Sequence, residues 1–292
     1  MQKYYLTEIT TKDNLILDGI YFEPQKKSDT ALLYIHGLTS SYYSDHEIFD
    51  VLTRDGEKLG LGFASFNNRG AGMITGFSKV DKNNTFGKSH LTIGAGYEAF
   101  EECVYDIDAG ISFLTKKGYK KVVLVGHSTG ATKACFYAGS KQDKRLKGVV
   151  LAGVLSDKLS EHGAKPWYFL LGLNLLKKIG LGNKLFNNIN FFPITPNRAL
   201  SLIESGSAED VFDYGERKPK LTLFSQIKIP LMVILSELDQ YADRPVKNIM
   251  SVFDKYQKSD KYSSVIIKDA NHGLDGKEKE FVGKIVDWIK NI

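Results

Sequence analysis

Cysteine is scarce in this chain, with two in 292 residues, Cys103 and Cys135. That excludes a disulfide framework and makes a reducing compartment, the cytoplasm, the expectation. A strong charge of one sign is also missing. The 39 basic and 34 acidic residues leave a net charge of +5. The excess is scattered in pairs such as Lys116-Lys117, Lys120-Lys121 and Lys177-Lys178. These read as solvated faces and not as a nucleic-acid stripe, so no nucleic-acid partner is expected. No apolar run is long enough to span a bilayer. The longest, Trp167 to Leu176, is interrupted by Gly172 and Asn174 and stops at Lys177, which excludes stable membrane insertion. Met1 to Tyr5 carries no apolar segment, and no signal peptide is expected. Internal repeats and low-complexity tracts are absent. No set of side chains has metal-ligand spacing, so neither a metal nor a cofactor is expected.

What remains is an ordinary globular composition, 42% hydrophobic and 25% charged. Strands and helices alternate along it. Residues 4–22 read as an antiparallel hairpin at a sheet edge. Buried strands are expected at 31–35, 63–66, 122–125, 148–153, 229–235 and 262–268. Helices are expected at 47–59, 97–115, 245–258 and 276–289. Residues 75–96 read as a polar surface excursion. Such alternation with short loops predicts an α/β fold, a mostly parallel sheet wrapped by helices. The rhythm stops between about 155 and 225 and then resumes. That stretch reads as an inserted helical cap, with residues 1–154 and 226–292 as the core. Within it Trp167, Phe169 and Leu170 are candidates for lining a substrate pocket, or else for the cap's own core.

One stretch carries chemistry. Val122-Val123-Leu124-Val125 reads as a strand buried on both faces. Gly126-His127-Ser128-Thr129-Gly130 follows, and then a helix begins. Strand, sharp turn and helix is the context that holds a serine hydroxyl out of the top of a sheet, with glycines where strand and helix close on each other. His36-Gly37 after the 31–35 strand is the matching turn. The backbone N–H groups of Leu38 and Thr129 would there face a developing oxyanion. The alternative is a plain strand-ending turn. His36 is expected to hold its loop by a hydrogen bond, and Arg69 to hold neighbouring loops.

A serine hydroxyl needs a base near neutrality, and that base needs an acceptor on its other nitrogen. Of the six histidines, only His272 follows a late strand. His127 adjoins Ser128 and is expected to point away. His46, His90 and His162 lie in predicted helical or excursion segments. Asp239 follows the 229–235 strand and is the candidate acid, with Glu237 and Asp243 as neighbours able to replace it. Ser128, Asp239 and His272 then stand in the order serine, acid, histidine, each at the carboxyl end of a strand.

On His36-Gly37, Asn68-Arg69-Gly70-Ala71-Gly72, Gly126 to Gly130, Asp239 and Asn271-His272-Gly273, the chain resembles the α/β-hydrolase superfamily over most of its length. It is similar to the branch of small capped carboxylesterases, monoacylglycerol-lipase-like and serine aminopeptidase-like proteins. Over five residues, Gly-His-Ser-Thr-Gly also resembles the fungal siderophore-ester hydrolases. Ala71 departs from the histidine many relatives carry there. The resemblance implies an α/β-hydrolase fold of about eight strands with a cap, and a serine hydrolase acting on a small-molecule ester. Thioesterase, amidase and acyltransferase activities share that machinery, and a ligand-sensing protein without turnover shares the fold.

Overall fold

The computed structural model describes residues 3–160, 165–190 and 192–292. Its centre is a sheet of ten strands. In chain order they are β1 (Tyr5–Thr10), β2 (Leu15–Phe22), β3 (Thr30–Ile35), β4 (Gly62–Phe66), β5 (Thr75–Val80), β6 (Lys88–Ile93), β7 (Lys121–His127), β8 (Leu146–Ala152), β9 (Leu231–Ser236) and β10 (Tyr262–Ile267). The order across the sheet is β10-β9-β8-β7-β3-β4-β2-β5-β6, and β1 pairs with β2. The six strands from β10 to β4 run parallel. The other four are joined by antiparallel pairing.

The helices are α1 (His46–Glu57), α2 (Cys103–Lys116), α3 (Thr129–Lys141), α4 (Trp167–Leu176), α5 (Pro196–Ile203), α6 (Thr222–Gln226), α7 (Val246–Tyr256) and α8 (Glu278–Ile289). Side chains alternate across the sheet with period two, and so feed two cores. Leu33, Val122 and Leu124 face one side, with Ile107 and Ile111 of α2, Ala134 of α3 and Phe253 of α7. Leu32, Tyr34, Val123 and Val125 face the other, with Phe49 of α1 and Phe281, Ile285 and Trp288 of α8. Both faces being covered explains why the parallel strands read as continuous apolar runs.

Three expectations need correction. The sheet has ten strands, against about eight expected. Residues 75–96 are no loose excursion, since β5 and β6 form a hairpin. Only Phe77 and Ile93 of that hairpin reach the core, which leaves too few apolar positions for the alternation to show. Finally, β2 is not an edge strand, because it pairs with β1, β4 and β5.

Between β8 and β9 the described residues add no strand to the sheet. It carries α4, α5 and α6, with a wider helical turn over Lys177–Leu181. Leu173, Phe192, Ile194, Leu200, Leu202 and Ile203 form a third apolar cluster, against which Leu38 packs.

Candidate active site

The carboxyl ends of adjacent strands converge on one cavity. Leu38 follows β3, Ser128 follows β7, Asp157 follows β8, Asp239 follows β9 and His272 follows β10. Backbone bonds tie these ends together: Ser128 N–H donates to Ala152 O (2.9 Å), Gly153 N–H to Ile234 O (2.9 Å) and Leu238 N–H to Ala270 O (2.8 Å).

Ser128 sits at φ 57° and ψ −130°, directly before the first residue of α3. A non-glycine residue with positive φ is strained and persists only where its surroundings over-determine it. Here they do. A Cβ on Gly126 would lie 2.3 Å from Gly130 O, and one on Gly130 would lie 2.1 Å from Ile35 O. The glycines permit the close approach that the strained turn needs.

Asp239 is the carboxylate against His272. His272 Nδ1 donates to Asp239 Oδ2 at 2.7 Å, and Tyr241 N–H donates to Oδ1 at 3.0 Å. Asp239's side chain is fully buried. A carboxylate accepts only, so Nδ1–H faces it, and in the neutral ring Nε2 is then the acceptor. The two neighbours are committed elsewhere. Glu237 accepts from Asp269 N–H (3.1 Å). Asp243 accepts from Tyr214 O–H (3.2 Å) and Arg244 Nε (2.7 Å).

His127 does not point away from the site. Its ring lies 5.2 Å from that of His272, between centroids, and its Nε2–H donates to His272 O at 2.9 Å. Burial, then the neighbouring His272, push the His127 imidazole below its ordinary pKa, so it stays neutral and keeps that donor in place. Gln240 Oε1 accepts from His272 N–H (3.1 Å). Tyr241 stands edge-on to the His272 ring at 4.9 Å. His127, Gln240 and Tyr241 thus position His272. Their side-chain chemistry gave no signal of this, because the contacts cross from β7 and the loop after β9 to the loop after β10.

His36 holds two loops together. Its Nδ1–H donates to Gly37 O (2.9 Å) and its Nε2 accepts from Asn68 N–H (3.0 Å). Burial, with Lys133 adding to it, pushes its pKa down to about 4. Arg69 is buried on Asp106, with Nη2 to Oδ1 at 2.8 Å, and also reaches Glu102. His46 and His90 are exposed, and His162 and Phe191 lie outside the described residues.

The cavity measures about 230 Å³ and is lined by Leu38, Ser128, Thr129, Leu155, Asp157 and His272, among others. Leu202 and Ile203 of α5 supply its apolar wall, together with Leu155. Trp167, Phe169 and Leu170 are not among the lining residues. Trp167 is 72% exposed, and Phe169 and Leu170 pack on the third apolar cluster. The richest aromatic and leucine stretch forms the outside of this region, and a plainer helix forms the wall. Among the described residues, no group of three or more His, Cys, Asp or Glu is placed to hold a metal ion. No described helix is long and apolar enough to cross a membrane.

The model of a family described as "Protein of unknown function (DUF1749)" matches residues 87–291. A Mycoplasma genitalium protein described as "Putative esterase/lipase 3" is 23% identical over 194 residues, 62% of this chain and 67% of its own length. Among solved structures, the Pyrococcus furiosus esterase Pf2001 superposes with a TM-score of 0.60 at 20% identity, covering 99% of this chain and 91% of that one. Est1E from Butyrivibrio proteoclasticus, with ferulic acid bound, gives a TM-score of 0.65 at 13% identity, covering 97% and 98%. The fold is therefore the α/β-hydrolase fold.

Proposed function

The chain belongs to the DUF1749 family, and from that premise we propose that it is a serine hydrolase, a carboxylesterase for small acyl or aryl esters. Residues 1–154 and 226–292 form its catalytic core, and 155–225 its cap. Ser128 Oγ attacks the ester carbonyl while His272 Nε2 takes the hydroxyl proton. Asp239 holds the His272 tautomer and stabilises the imidazolium. The backbone N–H groups of Leu38 and Thr129 donate to the oxyanion. Collapse of the tetrahedral intermediate breaks the C–O bond, and His272 returns the proton to the departing alcohol. Water, deprotonated by His272, then releases the acid from the acyl-enzyme and regenerates Ser128.

The observation that carries this reading is the 2.7 Å Asp239–His272 bond in a cavity shared with a serine held at φ 57°. The small cavity supports short acyl groups, and the ferulic acid bound to Est1E supports including aryl acids. Thioesters, amides and transfer to an alcohol use the same steps, with the leaving group chosen by the pocket. Two buried thiols, Cys103 and Cys135, left unpaired, suit a cytoplasmic protein.

The test pairs a short-chain 4-nitrophenyl ester series with a fluorophosphonate probe, on wild type and Ser128→Ala. Turnover and label should both disappear in the variant, with kcat down by about 10⁴-fold or more. A folded wild type with neither overturns the reading in favour of a ligand-sensing protein.

A further inference from the structure

Beside the cavity lies an unbalanced set of charges. Lys133 Nζ of α3 lies 2.5 Å from Glu98 Oε1. Arg198 Nη2 of α5 reaches Glu98 Oε2 at 3.2 Å and Glu209 Oε1 at 3.0 Å, and its Nη1 makes a second bond to Glu209. Two cations and two carboxylates therefore close on one another. Asp157, half-buried, is the fifth member, and among the described residues no salt bridge reaches it. It lies within Coulombic reach of Glu209, Arg198, His272 and Lys133. It also lines the cavity, together with Ser156, Ser160, Ser128 and His272. The hydrogen bond it accepts from Ser160 Oγ (2.8 Å) falls on its backbone carbonyl.

We propose that Asp157 is a specificity-determining residue, and that the cavity takes substrates bearing a cationic nitrogen, an alkylammonium group, whose charge completes this cluster. What is cleaved rests on the serine-hydrolase reading above, while what is bound does not. An ionised carboxylate away from bulk water is costly unless paired. Burial, then the nearby Glu209, push the Asp157 carboxyl up to about 7, against the opposing pull of Arg198, His272 and Lys133. A bound ammonium removes that penalty. A neutral hydroxyl supplies one hydrogen bond and leaves the charge unmatched. Leu155, Leu202 and Ile203, which also line the cavity, accept the methylene stem between ester and amine.

The test measures how n-butylammonium chloride and 1-butanol slow fluorophosphonate labelling of Ser128, at pH 7.5 and constant ionic strength. In the wild type, n-butylammonium should protect at a concentration at least about tenfold lower than 1-butanol. In Asp157→Asn and in Asp157→Ser, each checked for cooperative thermal unfolding, the two competitors should become equal. Equal protection in the wild type, or a preference that survives in both variants, overturns the proposal. Equal and strong protection by both compounds would mark a hydroxyl subsite, which also overturns it. Should Ser128 take no label at all, the hydrolase reading fails. Calorimetric titration of n-butylammonium into wild type and Asp157→Asn then tests the subsite alone, with heat of binding expected only in the wild type.

Discussion

Lys133 is a side chain whose loss should be felt at both the stability and the site of this protein. It is 1% exposed. Its ammonium donates to Asn68 Oδ1 at 2.8 Å and pairs with Glu98. Burial alone would raise the Glu98 carboxyl, but Lys133 and Arg198 outweigh it and hold the group below its ordinary value. In Lys133→Met the apolar stem stays and the charge goes. Glu98 is left with Arg198, which Glu209 already shares. Asn68 Oδ1 keeps only the bond from Gly70 N–H (3.0 Å). Removing one partner of a buried ion pair costs about 3–5 kcal/mol. The retained stem and the remaining arginine place this case at the low end, about 3 kcal/mol. Urea unfolding followed by the fluorescence of Trp288, on the buried face of α8, reads it as a lower midpoint with an unchanged slope. Adding Glu98→Gln removes the orphaned charge, so the double variant should be less destabilised than the sum of the single effects. Asn68 also donates to His36 O (3.2 Å), and the His36 turn carries Leu38. Fluorophosphonate labelling of Ser128 should therefore slow in Lys133→Met as well. A loss below about 1 kcal/mol, or strict additivity in the double variant, would refute the account of this cluster.

Asp239→Asn keeps the shape of the loop but no longer demands a proton on His272 Nδ1. Its kcat should fall by about 10³–10⁴-fold with little change in KM, and a loss under tenfold would remove Asp239 from the mechanism. His36 gives a pH signature. Burial lowers its folded pKa from 6.5 to about 4, so below 6.5 the unfolded chain binds a proton that the folded chain refuses. About 3 kcal/mol of stability, fully present above that pH, should drain away as pH falls from 6.5 towards 4. Denaturant titrations across that range measure it, and a His36 imidazole seen by NMR to titrate near 6.5 in the folded protein would contradict it.

Element order was legible because the signals are local. Parallel strands covered on both faces must be apolar at successive positions, and β3, β7, β8 and β9 were readable for that reason. The turn at Ser128 was readable from its glycines, and the chain order of Ser128, Asp239 and His272 from the strands they follow. The β5–β6 hairpin escaped because Ser78, Lys79, Ser89 and His90 dilute its pattern at the end of the sheet.

The amino-acid order by itself thus determined which segments form strands and helices, and that a serine, an acid and a histidine sit at strand ends, since backbone preference and hydrophobic period act over a few residues. Tertiary structure decided the rest. It set Asp239 and not Glu237 or Asp243 against His272, turned His127 towards His272, made Leu202 and Ile203 the cavity wall in place of Trp167 and brought Asp157 into the lining. Those outcomes depend on which atoms meet across the sheet and its insertion, in three dimensions, between residues up to 145 positions apart.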